Sequence, residues 1–399
     1  MLRASRAWKQ IGLLGFVGAA ALSAASAFQH QNPGQEQQTA GALQTLRRGE
    51  AVEFNAAPPS VVNSGCKCGA DGDIYLVYSD APPVLALGGG LSGIPVSKIS
   101  LRSRQVVSYR VPNRIKDFEG QVFRLSFDVS SDGTLYALFN TGRRGSDGKM
   151  KPEFLIGKYD DDGGIDSFTN IGQIRGKTVQ PSHVAVLFNG GAFLLSGTTV
   201  EEQGLGSFTG LFNGSGEFVK LVAPGNSGVM SGENQGGNAA GQSGPPPEAK
   251  QLEAGAENPA ALGSSVLSFS GKDGNVYLLQ GTSAATLSVI SPLGEVVRRR
   301  QLKPPDPDLS PLQMAQAGEG YLFIYYGYVS KGEPDEGATN RSNMITVLNS
   351  ATGEVEATYR MPQEKGYGLP ACAESPRKFT FIGASEDNRR LVVIPYSAP

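Results

Sequence analysis

The sequence predicts an all-β chain, a six-bladed β-propeller of four-stranded antiparallel blades, and three observations predict it. A hairpin phrase of Asp-Gly followed by an aliphatic and aromatic run recurs along the chain. A second phrase, Gly-Glu followed within two residues by Val, recurs after several of these hairpins. One copy of that second phrase stands alone near the N-terminus, ahead of the first hairpin, as if to complete a unit begun elsewhere. Periodic repetition of a short supersecondary unit is the signature of arrays and closed rings.

The first 27 of 399 residues carry Arg3, Arg6 and Lys9, an apolar stretch from Ile11 to Leu22, and Ala25-Ser26-Ala27. This order of basic, apolar and small residues predicts an export signal cleaved before Phe28. Residues 28–47 begin with a Gln-, Asn- and Gly-rich run without periodicity and read as a flexible leader. The propeller is then expected over 48–399. Gly49-Glu50-Ala51-Val52-Glu53-Phe54, followed by Pro58, is the lone outer-strand phrase. It is expected to pair into the last blade, so that the ring closes without free sheet edges.

The first hairpin is Asp71-Gly72-Asp73-Ile74-Tyr75-Leu76, the second Asp132-Gly133-Thr134-Leu135-Tyr136, and a later one Asp273-Gly274-Asn275-Val276-Tyr277. Weaker copies are Asn189-Gly190-Gly191-Ala192-Phe193 and Glu319-Gly320-Tyr321-Leu322. Glycine tolerates the positive φ of a tight turn, and the flanking residues suit half-buried strands. The outer phrases are Gly216-Glu217-Phe218, Gly294-Glu295-Val296 and Gly353-Glu354-Val355. Most outer strands stop at a proline, at Pro112, Pro224, Pro304 or Pro362, where the chain leaves a sheet edge. Turn glycines at 72, 133, 190, 274 and 320 lie at intervals of 61, 57, 84 and 46 residues. The long interval holds a Gly-, Asn-, Gln- and Pro-rich segment at about 223–262, read as a surface insertion into an otherwise blade-sized repeat. The last unit supplies three strands, near Leu369–Ala373, Lys378–Gly383 and Arg389–Pro395, and takes its fourth from the N-terminus.

On these motifs the chain resembles the six-bladed propellers of exported proteins, the TolB-like and NHL-like group. The resemblance implies a fold and little about activity.

Composition narrows the chemistry. Lys and Arg number 35 against 37 Asp and Glu, so there is no basic excess to neutralise phosphates, which argues against nucleic acid as a partner. No second apolar segment is long enough to span a bilayer, and a monomer is expected. Cys66 and Cys68 precede the first hairpin, and Cys372 holds a corresponding place in the last blade. In an oxidising compartment a disulfide from Cys66 or Cys68 to Cys372 would fasten first blade to last and leave one thiol free. A thiolate metal site lacks a further strong ligand. His183 has no second histidine beside it, since His30 lies in the leader. Asp160-Asp161-Asp162-Gly163-Gly164 falls where an outer turn is expected and lacks the spaced ligands of a calcium loop.

Ligands are expected at the channel mouth where the inner strands begin, with Asn63, Arg124, His183, Gln313 and Tyr367 as candidate contacts. The function expected is non-enzymatic binding of a protein, peptide or cell-envelope polymer by a secreted or periplasmic protein without a cofactor. The alternative, implied by resemblance to lactonase-like propellers, is a metal-dependent hydrolase with Ca2+ held by Asn63, Asp128 and Glu374 in the channel.

Overall fold

The computed structural model describes residues 43–56, 66–69, 72–77, 93–174, 176–201, 204–222, 266–281, 285–328, 342–362 and 368–399. The signal and most of the leader, Asn63, Tyr367 and the 223–262 insertion lie outside the described residues.

Six antiparallel blades form the ring. Blade 1 comprises Lys67–Cys68, Ile74–Val77, Val96–Ser100 and Gln105–Tyr109. Blade 2 comprises Phe123–Val129, Leu135–Arg144, Met150–Tyr159 and Ile165–Asn170. Blade 3 comprises Val179–Leu187, Ala192–Glu201, Gly204–Asn213 and Phe218–Leu221. Blade 4 runs through Val266–Ser270, Val276–Gln280, Ala285–Ile290 and Val296–Leu302. Blade 5 runs through Leu309–Gln316, Tyr321–Tyr328, Met344–Asn349 and Val355–Arg360. Blade 6 takes Leu369–Ser375, Lys378–Ala384 and Leu391–Ser397 from the C-terminus. Its fourth position is filled from the N-terminus, by Arg47–Arg48 and Val52–Glu53 paired antiparallel to Leu391–Ser397.

The N-terminal contribution begins earlier than the sequence indicates. Gln44–Thr45 runs parallel to the outer strand of blade 5, so the paired chain starts inside the segment read as leader. Nothing in the composition of residues 43–48 marks a strand; they are held by backbone pairing and by Leu46, which is buried between blades 5 and 6.

Six hydrophobic clusters lie at the six blade interfaces, which makes the ring closed. Tyr75, Tyr109 and Phe139 join blades 1 and 2, Tyr136 and Phe193 join 2 and 3, and Leu194 and Leu278 join 3 and 4. Tyr277 and Tyr326 join blades 4 and 5, Phe323 and Phe381 join 5 and 6, and Phe54, Ile74 and Ile382 join 6 and 1. A second strand packed on both faces must be apolar throughout, as Ile74–Val77 is, whereas the outer strand Val296–Leu302 alternates between half-buried and exposed residues.

The turn glycines perform as their phrases require. Gly72, Gly133, Gly190, Gly274 and Gly320 all hold φ between 76° and 91°. At Gly216 the need is also steric, because a Cβ there would stand 2.0 Å from the Asn170 carbonyl of the neighbouring blade. The acidic run is a turn: Asp160 Oδ1 accepts from the backbone N–H of Asp162 and Gly164. Arg298 and Arg300 lie on an outer strand and donate to the carbonyls of Ser350 and Thr352 in blade 5.

Candidate functional site

Inner strands converge on the ring axis, and a charged residue there must find a partner or desolvation would expel it. Lys67, between the two cysteines of blade 1, finds Asp128 of blade 2, with Nζ 3.4 Å from Oδ1. The same ammonium donates to the Ser268 carbonyl of blade 4. Asp128 Oδ2 accepts from the Val186 N–H of blade 3 at 2.9 Å and from the Ser270 hydroxyl of blade 4 at 2.7 Å. Gln313 of blade 5 donates through Nε2 to the Cys66 carbonyl of blade 1. Cys68 is bonded to Cys372, with Cα atoms 5.6 Å apart, which ties blade 1 to blade 6. Every blade thus contributes to one polar and covalent plug across the channel.

Cys66 is the free cysteine, buried in the cluster between blades 6 and 1. Burial pushes its thiol up to about 12, away from thiolate chemistry.

The plug separates two mouths. At the end where inner strands begin, Arg124 is buried and donates to the Ile94 carbonyl, and burial holds its guanidinium down to about 10. His183 is half-buried with Nδ1 2.9 Å from the Ser182 hydroxyl. Burial, aided by the Lys67 ammonium, lowers its pKa to about 4, so the imidazole is neutral near pH 7. Arg124, His183 and Gln313 do not form one shared polar surface: Arg124 and Gln313 are turned into inter-blade hydrogen bonds. Inner strands carry bulges here, which leave Leu125 and Leu312 on opposite blades 39% and 43% exposed.

At the other end, where the Asp-Gly turns lie, the channel opens into a funnel of about 530 Å³. Its base is Lys67 and Asp128, its wall includes the Cys68–Cys372 bond, and Ser131, Lys272 and Glu374 lie along its sides. Asp128 and Glu374 share this cavity, as the metal alternative requires, but Asp128 does not suit a cation. An ammonium already stands at Oδ1 and two donors hold Oδ2. Among the described residues no group of three or more His, Cys, Asp and Glu side chains is placed to hold a metal ion.

The funnel was not foreseen. Its signal was Asp128 itself, a lone carboxylate inside the apolar phrase Phe127-Asp128-Val129, together with Lys67 between two cysteines.

No known family's sequence pattern matches the chain, and no curated protein matches it. Solved structures resemble it in shape. A protein of unknown function from Dyadobacter fermentans DSM 18053 shares 10% identity at a TM-score of 0.49, over 89% of this chain and 99% of that one. The Penicillium chrysogenum alpha-L-arabinanase complexed with arabinobiose shares 12% at a TM-score of 0.43, over 88% and 98%. A glucose dehydrogenase shares 11% at a TM-score of 0.41, over 88% and 100%. Likeness at this level carries nothing about what this chain binds or does.

Proposed function

We propose that the chain is an exported propeller of the TolB-like and NHL-like kind that acts by binding a protein, peptide or cell-envelope polymer, in the secreted or periplasmic space. The observation that carries this reading is the funnel. It is an open cavity of about 530 Å³, within the range of ligand sites, on a face built from rigid turns, and it is closed at its base by charges already paired to each other. Such a site presents hydrogen-bonding groups, the Glu374 carboxylate among them, on a fixed frame, while Asp128, the carboxylate at its base, is engaged by Lys67, Val186 and Ser270.

Export is supported by the N-terminal signal pattern and by the Cys68–Cys372 bond, which persists in oxidising compartments. Among the described residues no helix is long and apolar enough to cross a membrane. The proposed processing, with 1–27 removed, predicts a mature N-terminus at Phe28, readable by N-terminal sequencing of exported protein.

The binding test uses the mature chain against envelope proteins, a peptide array and soluble envelope polymers. Retention of a ligand that weakens about tenfold in Arg102→Glu or Lys272→Glu, both of which line the funnel, and not in Arg143→Glu, at the far end of the second strand of blade 2, supports the reading. Binding that ignores the funnel variants, or no retention at all, defeats it. A chelator-sensitive lactone or ester hydrolysis by the same preparation would favour the Ca2+ alternative.

A further inference from the structure

The inner turn of blade 3 departs from its counterparts. Where blades 1, 2 and 4 place Asp-Gly, this turn reads Phe188-Asn189-Gly190, with φ of 50°, 52° and 91° in succession. Two consecutive non-glycine residues in the left-handed region are strained, and a bulky aromatic is an outlier there. Burial does not compensate, because Phe188 is 60% exposed. The turn is nonetheless fixed. Tyr136 donates through its hydroxyl to the Asn189 carbonyl at 2.8 Å, and the Ser131 hydroxyl donates to Asn189 Oδ1 at 2.7 Å. A Cβ on residue 190 would stand 2.3 Å from the Tyr136 hydroxyl, so only glycine fits.

This turn adjoins two cavities, one that it lines and one that it reaches through Ser131. Ser131, which holds Asn189, lines the central funnel. Asn189 itself lines a second cavity of about 310 Å³ between blades 2 and 3, with Tyr136, Lys158, Ser167 and Thr169. We propose that the Phe188 ridge and the two cavities beside it form an extended oligosaccharide site, in which one sugar ring stacks on Phe188 and its neighbours hydrogen-bond on either side. The inference rests on the binding reading above and names the ligand class.

The chemistry favours a glycan. A pyranose offers an apolar C–H face to an isolated aromatic ring and hydroxyls, each both donor and acceptor, around its edge. The second cavity matches the edge, with the hydroxyls of Ser167 and Thr169, the Asn189 amide and the Lys158 ammonium. It has no deep apolar slot of the kind that anchors a peptide side chain. The central funnel and a polar side cavity, both adjoining the turn that carries Phe188, suit a chain better than a single small molecule.

The test uses the mature protein and soluble oligosaccharides of graded length from cellulose, chitin and polygalacturonate, with the peptide array in parallel. Affinity is expected to rise with chain length for at least one series. Phe188→Ala should weaken it about tenfold while Phe188→Trp retains it, and Thr169→Ala should weaken long chains more than short ones. Phe188→Gly controls for folding, since relief of the left-handed strain should leave the melting temperature equal or higher. Glycan binding that is indifferent to Phe188→Ala overturns the inference. Retention of peptides or proteins through the funnel with no glycan bound overturns it while the binding reading stands. If neither glycans, peptides nor proteins bind, both fall.

Discussion

The Lys67 ammonium and the Asp128 carboxylate meet on the ring axis 3.4 Å apart, with side chains 13% and 1% exposed. Neither is held by its own blade alone, since Lys67 also reaches Ser268 and Asp128 also takes donors from Val186 and Ser270. Removing one partner leaves the other charge buried, which typically costs about 3–5 kcal/mol. Asp128→Ala and Lys67→Met are each expected to lower stability by about that amount in urea unfolding. The double variant Lys67→Met with Asp128→Ala should lose less than the sum of the singles. Strict additivity would mean that the pair is not coupled.

The Cys68–Cys372 bond closes a loop with a sequence separation of 304. Chain-entropy reasoning gives roughly 6 kcal/mol for a loop of this size, and measured values run about 2–5 kcal/mol. Cys372→Ser should therefore lower the urea midpoint strongly, while Cys66→Ala, which removes only a buried thiol, should lower it little. Thiol titration checks the assignment: no reactive thiol in the native protein at pH 8, and one after unfolding without reductant. Three thiols after unfolding would refute the bond, and a single thiol that alkylation mapping places on Cys68 would refute the pairing.

The blades were legible because each local phrase carries its own geometry. Asp-Gly sets a turn, the following apolar run sets a strand buried on both faces, and Gly-Glu sets the outer turn. The ring closure was legible for the same reason, through the lone phrase at Gly49-Glu50. The plug was not, because Lys67, Asp128 and Ser270 stand on three different blades and meet only through the curvature of the ring. Of the expected mouth contacts among the described residues, Arg124 and Gln313 stand beside bulges in the inner strands and are turned into inter-blade bonds, while Leu125 and Leu312 are exposed instead. Phe188 did leave a sequence trace, an aromatic directly before a turn.

His183 makes stability pH-dependent with a definite sign. Above pH 6.5 the imidazole is neutral in both folded and unfolded chains. Between pH 6.5 and about 4 the unfolded chain binds a proton that the folded chain refuses, so folding weakens as pH falls through this window. The full difference corresponds to about 3 kcal/mol, trimmed toward about 2 kcal/mol by partial exposure of the ring. The stability gap between wild type and His183→Gln, measured by urea unfolding, should accordingly change by about 2–3 kcal/mol between pH 7.5 and pH 4. A gap that stays constant with pH would show that the ring titrates normally.

The N-terminal segment should behave as a clasp across three blades. Gln44–Thr45 pairs with blade 5, Arg47–Arg48 and Val52–Glu53 pair with blade 6, and the Leu46 N–H donates to the Arg360 carbonyl at 3.0 Å. Leu46 is buried between blades 5 and 6, and Phe54 between blades 6 and 1, each 2% exposed. Leu46→Ala is expected to cost about 2–5 kcal/mol and Phe54→Ala about 3–5 kcal/mol, the range for emptied core positions. The exposed Arg390–Glu53 pair on the same segment, at 2.9 Å, should contribute less than about 1 kcal/mol, so Arg390→Ala serves as the control. Deleting residues 28–56 uncovers both apolar sites and leaves an unpaired edge on blade 6, and size-exclusion chromatography should then show aggregation. A monomeric deletion variant with the wild-type urea midpoint would show that the ring closes without its clasp, through the disulfide and the apolar contact of blades 6 and 1 alone.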